Sequence, residues 1–187
     1  NENWQEHHAK FFPKLKKTKI VQTGGLAHDR LISETDTKLF EIEYPEIDPD
    51  AKVVTFVAFS ERAYPGQKAT CDAILNTFNK QGVKGHLVVR VRPGREDQMW
   101  RGYAADRPGL VSVQIPTGIF FTKWTTQSKV YRANEQHEVS LFGATLRRSD
   151  LIVTAGFSTV FLDAFATGTP AIAVAIAPSP DTGPSHL

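Results

Sequence analysis

From residue 52 onward, apolar residues come in short, nearly unbroken runs separated by stretches with helical spacing. "KVVTFVAFS" at 52–60 places Val53, Val54, Phe56, Val57 and Phe59 almost continuously. Such a run predicts a strand covered on both faces, because a strand with one wet face alternates. Residues 67–81 put Cys71, Ile74, Leu75 and Phe78 three and four apart, which predicts an amphipathic helix ended by Gly82 and Gly85. "HLVVRVRP" at 86–93 predicts the next strand, stopped by Pro93 and Gly94. "REDQMWRGYAAD" predicts a short helix, and "LVSVQIP" at 110–116 a third strand. Residues 117–137 are aromatic and polar without a period, so they predict a long loop. Val139, Phe142 and Leu146 form one helical stripe across 138–148. A strand at 151–154, a helix at 158–167 and a strand at 171–176 complete the pattern.

Strands alternating with helices predict an α/β fold, a doubly wound parallel sheet of the Rossmann-like kind. Before residue 52 the pattern is less regular. "NENWQEHHAKFF" sets Trp4, His8, Phe11 and Phe12 on roughly one helical face, and Pro13 ends or bends that helix. "KTKIVQTGG" predicts a short strand with turn glycines, and "LAHDRLISE" opens another helix. "YPEIDPDA" at 44–51 holds two prolines and predicts a linker. The expected division is therefore 1–43, a linker at 44–51, and a main domain at 52–187.

Composition narrows the partners. A length of 187 residues with 41% hydrophobic content suits one core, or one domain plus part of another. A net charge of +2 is too small to argue for nucleic acid. Cys71 is the only cysteine, which excludes a disulfide within the chain and suits a reducing compartment. On an apolar helix face it reads as a core residue. No apolar run approaches the roughly 20 residues of a membrane helix. The chain starts at Asn1 and not at Met, so a missing N-terminus is expected. His7 and His8 are adjacent and would diverge on a helix; His28, His86, His137 and His186 are scattered, so no metal site is expected. Asp36, Glu41, Glu43 and Glu46 read as a solvated connection. The basic run "KLKKTK" at 14–19 reads as a surface turn, or as a contact with anionic lipid.

Candidate chemistry concentrates in "DLIVTAGFSTVFLDAFATGTPAIAV" at 150–174. Gly156, Phe157, Ser158 and Thr159 lie where a predicted strand hands over to a helix. In open parallel sheets ligands bind beyond the carboxyl ends of the strands. A helix N-terminus adds unpaired N–H groups and partial positive charge, which suits a phosphate. Gly156 would let the backbone approach it, Ser158 and Thr159 would donate hydroxyl bonds, and Asp163 would accept from ribose hydroxyls. A plainer reading exists: Ser158 is a helix cap and Asp163 a solvated helix residue. Residue types alone favour the plainer one, since no G-x-G-x-x-G or phosphate-loop motif is present.

"RRSDLIVTAGFSTVFLDAFATGTPAIAV" resembles the nucleotide-binding segment of GT-B glycosyltransferases. Asp150, Ser158, Thr159, Asp163, Ala164, Gly168 and Pro170 carry the match. Within that group the chain looks most like capsule or surface-polysaccharide transferases, including the CDP-glycerol glycerophosphotransferase type; UDP-N-acetylglucosamine 2-epimerases share the architecture. "TKIVQTGGLAHDRL" is similar to the family's join between halves through Thr23, Gly24, Asp29 and Leu31, with Gly25 where asparagine is usual. "LVVRVRPGRE" is loosely similar to a strand ending Lys-x-His-Pro through Arg90, Arg92 and Pro93, with Arg92 in place of the histidine.

The resemblance implies the donor-binding, C-terminal half of a GT-B enzyme, truncated at its C-terminus. Residues 1–43 would be the end of the acceptor-side domain and its crossing, with the catalytic base in an N-terminal domain outside this chain. It implies metal-independent transfer from a nucleotide diphosphate sugar or CDP-glycerol to a glycan acceptor, in the cytoplasm or at the inner membrane face. Arg92 would supply a cation to the leaving phosphates, or serve only as a surface arginine. Ser60, Glu61 and Arg62 follow the first strand at the same sheet edge and would line the cleft. Gly118 and "FFTKW" would cover the base, or pack against the missing half. The alternatives are a non-catalytic nucleotide-binding module that needs a partner chain, and an epimerase.

Overall fold

A computed structural model describes residues 31–32, 38–91, 96–116, 135–156 and 158–174. Five strands form one all-parallel sheet: β1 (Lys52–Val57), β2 (Gly85–Arg90), β3 (Val111–Gln114), β4 (Leu151–Thr154) and β5 (Ala171–Ala173), in the order β3-β2-β1-β4-β5. The helices are α1 (Leu39–Glu43), α2 (Gln67–Gln81), α3 (Asp97–Ala105), α4 (Glu135–Arg148) and α5 (Val160–Thr167). The expected doubly wound Rossmann-like fold is the observed one.

The two faces of the sheet differ in chemistry. On one, Val54, Phe56, Leu87 and Val89 meet Cys71 and Leu75 of α2 and Trp100 and Tyr103 of α3 in an apolar core. Phe56 and Trp100 stack with ring centroids 6.1 Å apart. Cys71 is fully buried there, as expected of a core residue, and burial pushes its thiol pKa far up. The other face packs on α1, α4 and α5 through Phe40, Val53, Val88, Ala144, Leu146, Ile152 and Ala164. Polar side chains are interleaved with these. Thr55 and Ser149 share a hydroxyl bond of 2.7 Å, and Gln114 Nε2 donates to Thr145 Oγ1 at 2.7 Å.

Element boundaries depart from the sequence reading for local reasons. β1 stops at Val57 and not at 60, because Phe59 gives both its backbone groups to the Gln67 side chain. β2 ends at Arg90, with Val91 N–H still bonded to Gln114 O at 2.9 Å. α4 begins at Glu135, so its first turn takes 135–137 from the expected loop. β5 ends at Ala173. Residues 44–51, expected as a linker, lie packed on the domain: Ile47 and Ala51 are buried in the cluster that holds Phe40 and Val88. Arg148 Nη2 ties this segment to the end of α4 by donating to Pro49 O and Ala51 O, both at 2.8 Å. The helix expected at 1–12, the short strand and "TKIVQTGG" join, and the "KLKKTK" run lie outside the described residues.

Candidate functional site

The chain runs outward from β1 through β2 to β3, then returns to lay β4 on the other side of β1. This reversal falls at the carboxyl ends of β1 and β4, the usual ligand position in such sheets. Asp150 fixes the geometry. Its Oδ2 accepts from Val53 N–H at 2.9 Å and its Oδ1 from Lys52 Nζ at 2.8 Å, while Asp150 N–H donates to Val53 O at 2.8 Å. These bonds lock β4 beside β1 at the amino end and so set where Gly156 emerges at the other end.

The two loops at the reversal touch. Gly156 has φ of +157°, a conformation side-chain-bearing residues rarely adopt, and an added Cβ there would lie 3.6 Å from the Tyr64 ring. Thr154 Oγ1 donates to Gly156 O at 2.5 Å and turns the chain. Thr159 caps α5 without using its side chain. Ser158 precedes that cap, and its Oγ accepts from Val160 N–H at 3.2 Å, the first N–H of the helix. Accepting that bond leaves the Ser158 hydroxyl proton able to donate. Both readings of this serine are thus compatible with one position. Phe157 and Arg92 lie outside the described residues, as do Gly118 and "FFTKW".

Ser60 and Glu61 reach the same edge, but their polar groups turn into the loop. Ser60 Oγ and Glu61 N–H both donate to Glu96 Oε1, at 3.1 and 2.9 Å. The Glu61 carboxylate accepts from Gly66 N–H at 2.7 Å and Gln67 Nε2 at 3.1 Å. They shape the β1–α2 loop and place Tyr64. Arg62 is exposed and forms no ion pair among the described residues.

Asp163 is half-buried on α5, and its charge acts on Arg90 at the end of β2. Arg90 Nη1 donates to Gln114 Oε1 at 2.5 Å, and its guanidinium lies 4.1 Å over the Phe142 ring. Burial lowers the Arg90 pKa to about 10, offset in part by Glu138, Tyr44 and Asp163. Tyr44, from the segment expected as a linker, has its phenol pushed up to about 12 by burial against a lowering hydrogen bond with Gln114 and the Arg90 charge. The sequence showed Arg90 as the polar end of an apolar strand and as part of the loose Lys-x-His-Pro similarity, with no sign of its packing. Its burial depends on Phe142 and Gln114, which are remote in the chain.

A second polar group lies at the opposite, amino end of the sheet. His86 Nε2 is 3.0 Å from Ser112 Oγ, which donates to Glu46 Oε1 at 2.9 Å. Burial holds the His86 pKa below its ordinary value, against a bond with the Gly109 backbone and the Glu46 charge. The glutamate engages the serine and not the imidazole, so the order is that of a loop clasp and not of a nucleophilic triad. His86 and Glu46 line a cavity of about 550 Å³ with Ile47, Phe78 and Leu110. Glu46, expected as part of a solvated connection, thus anchors that connection to β3.

Among the described residues no group of three or more His, Cys, Asp or Glu side chains is placed to hold a metal, and no helix is long and apolar enough to cross a membrane. No family model and no curated protein matches the chain.

Proposed function

We propose that the chain is the donor-binding half of a GT-B-type transferase that takes a nucleotide diphosphate sugar or CDP-glycerol. The single observation that carries this reading is the turn from β4 through Gly156 to Ser158 and the start of α5, placed beside β1 where the strand order reverses. That turn combines a glycine, two hydroxyls and a helix N-terminus at one strand end, the combination that suits a phosphate. The resemblance of residues 147–174 adds the transferase chemistry. As the donor bond breaks, charge builds on the leaving phosphates, and donors already aimed at them lower the barrier. Ser158 and Thr159 would act there, Asp163 would accept from the ribose, and Arg92 would add a cation. The base and the glycan acceptor belong to the other half, so the isolated chain turns nothing over. The same reading puts the protein in the cytoplasm, in contact with the inner membrane face.

Calorimetric titration with UDP, CDP, CMP and GDP tests the site. One nucleotide should bind saturably to the chain and fail to bind a Ser158→Ala, Thr159→Ala double variant whose circular dichroism is unchanged. Equal binding by that variant would remove the site from this turn. A second reading, a non-catalytic nucleotide module completed by a partner chain, rests on the engagement of Ser60 and Glu61 in loop structure, which leaves few polar groups at that sheet edge for chemistry. It predicts nucleotide binding by the chain alone, with transfer only once a separate partner chain completes the cleft.

A further inference from the structure

Arg90 is a partly buried cation with few described contacts. It ends β2 in register with Val57, one strand from the reversal. Its side chain lies on the sheet face covered by α4 and α5, as the Phe142 contact shows. The guanidinium carries five N–H donors. Its described contacts are one neutral amide oxygen, Gln114 Oε1, and the Phe142 ring. No carboxylate forms an ion pair with it among the described residues. Glu138 and Asp163 act on it through their fields. The connections that leave β2 and β3, residues 91–96 and 115–134, contain one carboxylate, Glu96, whose Oε1 accepts from Ser60 Oγ and Glu61 N–H.

Taking a guanidinium out of water is costly unless a contacting anion repays it. An amide oxygen and a ring face repay part. Evolution tolerates such a cation most simply where an anion arrives from outside. We propose that Arg90 binds the phosphoryl groups of the ligand at the carboxyl edge of β2, a proposal that rests on the nucleotide reading above. The planar fork suits two phosphate oxygens at once, which an ammonium does not. The Asp163 charge acts on the same guanidinium, so a phosphate-binding cation on β2 and a ribose acceptor on α5 would serve one ligand.

The test compares the wild-type chain with Arg90→Lys and Arg90→Met, titrated with pyrophosphate, with UDP, CDP, CMP and GDP, and with uridine, cytidine and guanosine. Loss of the guanidinium should weaken pyrophosphate and the binding nucleotide about tenfold or more, with partial recovery in the lysine variant. Affinity for the neutral nucleoside should stay unchanged. Thermal unfolding keeps a structural role distinguishable. Without ligand, Arg90→Met should unfold near the wild-type temperature, because an apolar side chain of similar length removes a charge that Glu138, Tyr44 and Asp163 offset only in part. Pyrophosphate should raise the wild-type Tm and leave that of Arg90→Met unmoved. Undiminished nucleotide binding by Arg90→Met would overturn the proposal while the nucleotide reading stands. Arg90-dependent binding of pyrophosphate with no nucleotide bound would sustain the anion site and remove the nucleotide reading. A large fall in Tm for ligand-free Arg90→Met, or no anion bound by the wild type, would also overturn the proposal.

Discussion

Gln67 shows how much a single side chain organises at the candidate site. It is fully buried at the first position of α2, and its amide takes both backbone groups of Phe59, accepting from N–H at 2.8 Å and donating to C=O at 3.0 Å. The side chain thus continues the ladder where β1 has left the sheet. Gln67→Leu keeps the volume but strands a buried donor and acceptor. The expected cost is about 2–4 kcal/mol by urea unfolding, with faster hydrogen exchange at the Phe59 amide. Because the same amide holds Glu61, the Tyr64 ring should also loosen beside Gly156, and nucleotide affinity should fall with it. Gly85 is the opposite case, a residue needed for what it lacks. A Cβ built there meets Phe78 Cγ at 2.3 Å, so Gly85→Ala should destabilise by about 1–3 kcal/mol. Phe78→Ala in the same chain, which removes Cγ and both Cδ atoms, should reduce that penalty, which a double-mutant cycle measures.

At the scale of elements, the strands were legible and the polar contacts between elements were not. Val53, Val54 and Phe56 announce a strand buried on both faces whatever their neighbours are. The layer under α4 is different. His86 pairs with Ser112 across 26 residues, Gln114 with Thr145 across 31, and Thr55 with Ser149 across 94. Read along the chain, each is one polar residue in an apolar run, and only the sheet order brings partners together. The candidate turn was legible for the converse reason, since Gly156, Ser158 and Thr159 are local in sequence. The duties of Ser60 and Glu61 were hidden because Glu96 and Gln67 lie on other elements. Asp150 makes the distinction testable. As part of the family-like segment it reads as a motif residue, yet its described bonds are to the start of β1. Asp150→Ala should cost about 1–2 kcal/mol and lower exchange protection along the β1–β4 ladder. Lys52→Ala, which removes only the exposed ion pair, should change stability by less than about 0.5 kcal/mol.

Over the whole molecule, the two ends of the sheet divide the labour: the carboxyl end holds the candidate ligand groups, and the amino end fastens the 44–51 segment to the domain. Glu46 accepts from Ser112, which in turn bonds His86, Asp48 pairs with Lys84, and Arg148 caps the carbonyls of Pro49 and Ala51. This fastening makes stability depend on pH in two separate windows. His86 has a folded pKa below its ordinary 6.5 because burial disfavours the imidazolium. The unfolded chain therefore binds the proton more readily, and stability is complete above pH 6.5 and falls as pH drops from there toward the folded value. The groups that face this ring are Glu46, which favours its charge, and Arg148, which opposes it. Asp48 and Asp150 have folded pKa values below 3.8, Asp48 through the Lys84 hydrogen bond first, and Asp150 through the bonds from Lys52 and Val53 N–H, which outweigh its burial. Their contribution is present above pH 3.8 and is lost below it, by the same linkage. Unfolding by urea across the acid range should thus show an upper step belonging to His86 and a lower one belonging to the carboxylates. His86→Gln should remove the upper step and leave the lower, and Asp150→Asn should shrink the lower step to the Asp48 part and leave the upper. An upper step that survives His86→Gln would show that burial of this imidazole is not what couples the amino-end clasp to protons.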